Sequence, residues 1–283
     1  MTPAAGAVDW AAAQEKLRGP VFAPLAPALA RLDPERWPTH EDLTALAAGV
    51  ATSGGVPIRF VPPRGQSDRS RLPYEQRIAQ CGEIETRPRD WHDLFDALAW
   101  IAFPKAKAAI NAQHAAILAE GGEAEALRRS PERDALSLFD EGGVVVASSS
   151  PALLRLIVDF EWKELFWRRR EELAGRVRFL AVGHALFEKA LDPFIGIVAK
   201  TVFVPVDDFF AMLPPESQVA RADELLAAHF AQRARFATPR TMAPLPVLGI
   251  PGWHPGTDHE AFYDDAEHFR GKPGPGDATE RRS

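Results

Sequence analysis

Three imidazoles in this chain lie about one helical turn from a polar partner. His92 precedes Asp96 by four residues, His184 precedes Glu188 by four, and Asn111 precedes His114 by three. Residues at these spacings share a helix face, so each pair can act as a unit wherever its segment is helical. A carboxylate beside an imidazole fixes its tautomer or stabilises its protonated form, which serves both proton transfer and metal ligation. His92 is therefore a candidate acid, base or metal ligand. Glu188 can activate water, share a cation or orient His184, and His114 can join His92 if the helices carrying them fold back on one another. The bland reading of each pair is a helix-stabilising contact or a buried polar network.

The other polar groups divide by where they lie. Asp134, Asp140 and Glu141 surround an expected hairpin, where oxygen ligands would suit a hard cation, although turn acids commonly do no more than solubilise the turn. Arg64, Arg69 and Arg71 punctuate the segment PPRGQSDRSRLP, a loop suited to holding substrate charge. His254 and His259, followed by Tyr263, Asp264 and Asp265, fall in a Gly/Pro-rich segment that can cover a site or simply pack on the surface. Arg168, Arg169 and Arg170 read as a solvated helix face. Ser148 to Ser150 read as a turn and a helix cap, and Cys81 as a packed thiol at a helix end. No Walker A run, GxGxxG, GxSxG or HExxH occurs, so no nucleotide or flavin cofactor is expected. His92, His114, His184 and Asp140 are the residues available for a divalent metal.

These groups need elements to hold them. Asp9 is expected to cap a helix through Arg18, and a second helix starts near Thr39. VPIRFV reads as a strand, and a helix follows at Tyr74. Asp90 caps DWHDLFDALAWIAF, whose Trp91, Leu94, Phe95, Leu98 and Ile101 make a broad apolar face. Pro104 breaks that helix from KAKAAINAQHAAILAE, which runs to Gly121 and Gly122. DALSLFDEGGVVVAS is predicted to form two antiparallel strands joined by DEGG. A long helical region through Leu153, Ile157, Trp162 and Phe166 comes next, then a short helix over His184 to Leu191 and a strand at AKTVFVPV. The sum is an α+β chain: one helix-rich domain over residues 1–270 with a small, mainly antiparallel or mixed sheet, a Pro/Gly-rich arm at 238–270 and a flexible tail at 271–283.

Composition bounds the partners. With 283 residues, 46% hydrophobic and 25% charged, the chain can bury a core and is neither a disordered nor a fibrous sequence. Its net charge of −6 disfavours phosphate-driven binding to nucleic acid. A single cysteine permits no intrachain disulfide, and the first residues lack an export leader, so a cytoplasmic, non-membrane protein is expected.

The stretch TRPRDWHDLFDALAW with FPKAKAAINAQH resembles an uncharacterised bacterial family, domain of unknown function 3025. The likeness continues through RDALSLFDEGGVVV, GHALFEK and PLPVLGIPGW with FYDD, from about Gly55 to Arg270. The resemblance implies membership rather than an activity. By motif position, His92, Asp93, Asn111, His114, Asp134, Asp140, Glu141, His184 and Glu188 match its polar signature. Asp96 departs from the asparagine of that pattern, which ranks it below His92, His114, His184 and Glu188 as a catalytic candidate.

The expected function is a hydrolase-like enzyme acting on a small polar or anionic substrate at a histidine/carboxylate site, with Arg64, Arg71 and Asn111 binding substrate. The alternative is a non-catalytic ligand-binding or protein-interaction domain, and nucleic-acid processing ranks below both.

Overall fold

Caps and prolines decide where the helices begin. The computed structural model describes residues 9–64 and 72–272. Short turns α1 (Trp10–Ala13) and α2 (Ala26–Leu29) precede α3 (His40–Leu46), which Thr39 and Asp42 close with a reciprocal capping box. Strand β1 (Arg59–Val61), helix α4 (Tyr74–Cys81) and strand β2 (Glu83–Glu85) follow, β1 and β2 pairing in parallel. Helix α5 (Trp91–Ala102) is capped by Asp90, whose side chain accepts from the Asp93 amide. Pro104 then opens α6 (Pro104–Leu127), whose backbone leaves helical geometry at Gly122. Asp223 reaches across from a distant helix to accept the amides of Lys105 at 3.1 Å and Ala106 at 2.7 Å, so the first turn of α6 is capped from outside.

The expected hairpin is a helix followed by a strand. Ser130 caps α7 (Pro131–Gly142) by accepting from the Arg133 amide, Pro131 sits in the first turn, and Glu132 and Asp134 complement the positive end of the helix dipole. Ala135, Leu136 and Phe139 are buried while Leu138 is exposed, a helical rather than an alternating pattern. Only GVVVAS is strand, β3 (Gly143–Ser148).

Ser150 caps α8 (Pro151–Asp159) as expected. The long helix then breaks: Phe160 takes φ 63°, residues 164–168 form a π-helical turn, and α9 (Arg170–Arg176) starts afresh. The first expected helix is likewise shorter, passing from α1 into a 3₁₀ turn at Lys16–Arg18 without a side-chain cap from Asp9. Strand β4 (Val177–Ala181) and helix α10 (His184–Ala190) precede β5 (Val198–Pro205), α11 (Pro215–Phe230) and β6 (Pro244–Pro246).

The main sheet has the order β4-β3-β5-β6 and is mixed, with β3 antiparallel to β4 and parallel to β5. Strand β3 is buried on both faces. Val144 and Val146 enter the core beneath α5 and α10, whereas Val145 and Ala147 enter a second core with α7 and α11. The Pro/Gly-rich arm packs Leu245, Val247, Ile250, Tyr263 and Phe269 into the first core. Cys81 is exposed at the end of α4, not packed as expected. Residues 273–283, where most of the flexible tail is expected, lie outside the described residues. No helix among the described residues is long and apolar enough to cross a membrane.

Candidate functional site

His92 and Asp96 occupy successive turns of α5, and α10 packs against that helix. The close approach at the start of α10 depends on Gly183. There the Val182 and Gly183 amides both donate to the Gly143 carbonyl at 3.0 Å, drawing the end of β4 against the α7–β3 junction. His184 thus emerges beside the last turn of α7, which carries Asp140 and Glu141.

The Nε2 atoms of His92 and His184 stand 3.0 Å apart, with the ring planes at 88°. Glu188 meets His92 Nδ1 at 3.0 Å. The Nδ1 of His184 faces Asp96 and Asp140, each at 3.6 Å, beyond hydrogen-bond length. Between those two carboxylates sits Lys107. Its ammonium donates to Asp96 at 2.7 Å and to Asp140, with only 4% of the side chain exposed. Burial works against that charge, but the two carboxylates outweigh it and raise the Lys107 pKa; in return Lys107 and His184 hold the Asp140 carboxyl below its ordinary range despite its own desolvation.

His92, His184, Asp96, Asp140 and Lys107 line a cavity of about 420 Å³. Helix α4 supplies its opposite wall. Tyr74 Oη lies 3.5 Å from Asp96, and Asn111 donates to the Glu75 carboxylate at 2.7 Å and carbonyl at 2.9 Å. His114 is buried in the wall, and burial brings its pKa down to about 4, so the ring is neutral at physiological pH. Arg87 enters from the rim, held by Asp93 at 2.7 Å, a contact that keeps the Asp93 carboxyl low against its partial burial.

Glu75 gives a pH signature. Burial pushes its carboxyl up to about 7, with Asp140 and Asp96 acting in the same direction and with Asn111 and Lys107 opposing. A carboxyl whose folded pKa is raised favours folding when protonated, and that contribution is lost as pH rises from its ordinary 4.5 through about 7. Glu75→Gln keeps the acceptor for Asn111 and removes the charge. We expect it to raise Tm at pH 8 and to leave Tm nearly unchanged at pH 5; equal shifts at the two pH values would contradict this account.

The structure brings together His92, His184, Glu188 and Asp140, and places His114 and Asn111 in the same cavity. Arg64 pairs with Glu83, and its amide donates to Glu85, which lines the cavity. Arg69 and Arg71 lie outside the described residues. Asp134 faces Arg129 at 4.0 Å on the flank of α7. His254 accepts from the Gly256 amide and stacks on Phe262 within the arm, and His259 is exposed, so neither reaches the cavity. Tyr74, Glu75, Arg87 and Arg129 are cavity groups that no sequence motif singles out. Lys107 had a signal, since 107, 111 and 114 recur at i, i+4 and i+7 on one helix face.

Among the described residues, two sets of side chains are geometrically compatible with a divalent metal: His92, Glu141 and His184, and Asp96, Asp140 and His184. Within each set the ligand atoms lie no more than 4.8 Å apart.

The chain belongs to the family described as a protein of unknown function, DUF3025, which it matches over residues 58–273. No curated protein and no solved structure matches it.

Proposed function

We propose that this member of the DUF3025 family is a hydrolase-like enzyme acting on a small polar substrate in the α4–α5–α10 cavity. The observation that carries the reading is the meeting of His92 and His184, from helices 92 residues apart, at the wall of that cavity. Glu188 and the Asp96–Asp140 pair lie behind the two rings, so their Nε2 atoms are presented to one place. A water held there is the nucleophile: its oxygen bonds to the electrophilic atom of the substrate, its proton passes to the imidazole–carboxylate system, and that proton is returned to the departing group. A partly desolvated polar cavity strengthens each of these interactions.

Substrate charge follows from the lining. Glu75, Glu85, Asp93, Asp96, Asp140 and Glu141 outnumber Arg87, Lys107 and Arg129. This excess disfavours an anionic substrate unless a cation is bound at the site, and it admits neutral polar or positively charged ones.

The test is a panel of small esters, amides and phosphoesters presented to the parent protein and to folded His92→Ala and His184→Ala variants. We expect turnover that each substitution lowers by about 100-fold or more. Equal turnover by parent and variants would remove both histidines from the chemistry. Saturable binding without turnover would favour a ligand-binding domain.

A further inference from the structure

We infer that His92 Nε2, His184 Nε2 and the Glu141 carboxylate form the seat of one divalent transition-metal ion, with zinc the best fit. The argument begins with protons. A neutral imidazole carries one N–H. His92 Nδ1 faces the Glu188 carboxylate at 3.0 Å, and His184 Nδ1 faces Asp96 and Asp140 at 3.6 Å. His92 is satisfied with its proton on Nδ1, toward Glu188. His184 Nδ1 makes no hydrogen bond, but a proton there faces two carboxylates, whereas the other tautomer, with Nε2–H donating to His92, turns a bare Nδ1 lone pair toward both of them. That choice leaves two bare Nε2 lone pairs 3.0 Å apart. Two acceptors at this distance need a shared positive centre, which is either an added proton or a metal ion.

The geometry suits the metal. Two nitrogens bound tetrahedrally to one zinc at about 2.0–2.1 Å stand roughly 3.3 Å apart. The third donor comes from Glu141, an exposed residue whose carboxylate lies within 4.8 Å of both imidazoles. Carboxylates behind both Nδ1 atoms match the outer arrangement that fixes the tautomer and orientation of metal-bound histidines. Mixed imidazole and carboxylate donors favour zinc or a neighbouring transition ion over magnesium or calcium, which prefer oxygen alone.

The competing set, Asp96, Asp140 and His184, already holds a cation. Lys107 occupies the space between its two carboxylates. The ion therefore belongs on the Glu141 side of the imidazole pair, and Lys107 with its two aspartates stands behind His184.

Three protein donors leave a position for water. That the ion would carry the attacking water rests on the hydrolytic reading above, with a cavity carboxylate rather than an imidazole then taking the water's proton, because both Nε2 atoms are engaged; the ion itself does not rest on that reading.

The test uses full-length, tag-free protein stripped with chelator and titrated with zinc(II), then with cobalt(II) as a spectroscopic reporter. We expect one tightly bound equivalent and the intense visible bands of a low-coordinate cobalt centre. Glu188→Gln is expected to weaken binding by roughly 10–100-fold, and His92→Ala and Glu141→Gln by more. His92 and Glu141 are both accessible enough for substitution without loss of the fold, which denaturation of each variant checks. Absence of a stoichiometric equivalent in the parent protein, or unchanged affinity in His92→Ala, overturns the inference and leaves a shared proton between the rings. Stoichiometric binding without turnover by zinc- or cobalt-loaded protein overturns the hydrolytic reading and keeps the ion. Turnover without stoichiometric binding does the reverse.

Discussion

Lys107→Met lowers the unfolding free energy by about 3–5 kcal/mol, the loss expected when one partner of a buried ionic group is deleted. The size follows from what remains. Lys107 is the cation between Asp96 and Asp140, whose side chains are 14% and 22% exposed, and methionine fills its volume without neutralising either acid. The ammonium also lies 5.6 Å from the centre of the Trp100 ring, an attraction that methionine only partly replaces. Urea denaturation at pH 7 measures the loss. In a double-mutant cycle, adding Asp140→Asn should recover part of it, because one uncompensated charge is gone. A loss below about 1 kcal/mol would mean that water reaches the aspartates and that the triad is not a buried ionic unit.

Gly183→Ala disrupts the site through space alone. The φ of Gly183, −66°, suits any residue, but a Cβ there would lie 2.4 Å from the Gly143 nitrogen and 2.5 Å from both the Glu141 carbonyl oxygen and the Gly142 nitrogen. All three are backbone atoms and cannot swing aside as a side chain can. Helix α10 must move away from the end of α7, at a cost of about 1–3 kcal/mol or more. Gly142→Ala is the control, since a Cβ there meets nothing within 4 Å. We expect a clear fall in Tm for Gly183→Ala and little change for Gly142→Ala. If the two variants melt alike, the junction is looser than the contacts indicate.

The site was legible where local rules apply. Helical spacing put His92 with Asp96 and His184 with Glu188 on shared faces, and caps at Asp90 and Ser150 were read correctly. The partnerships themselves were not local. Glu188 holds His92 rather than His184, and Asp96 and Asp140 stand behind His184, because packing of α10 on α5 exchanges the partners between helices. The misread hairpin shows a different limit. Leu136 and Leu138 flank Ser137 as strand residues would, yet Ser130 and Pro131 nucleate a helix that buries Leu136 and exposes Leu138. The cap that Asp223 of α11 places on α6 is a tertiary contact across more than 100 residues and leaves no local signal. Arg64 pairs with Glu83 from β2, a contact between segments that the local sequence does not reveal.

The separation of 92 residues between the paired histidines also sets an order of events during synthesis. The stretch bearing His92 leaves the ribosome well before the one bearing His184, and Glu141 emerges between them. An ion encountering the growing chain finds scattered donors until β4 has paired with β3 and α10 has docked. An ion at the proposed seat would therefore bind the finished protein only, and thermal resistance would then depend on metal supply.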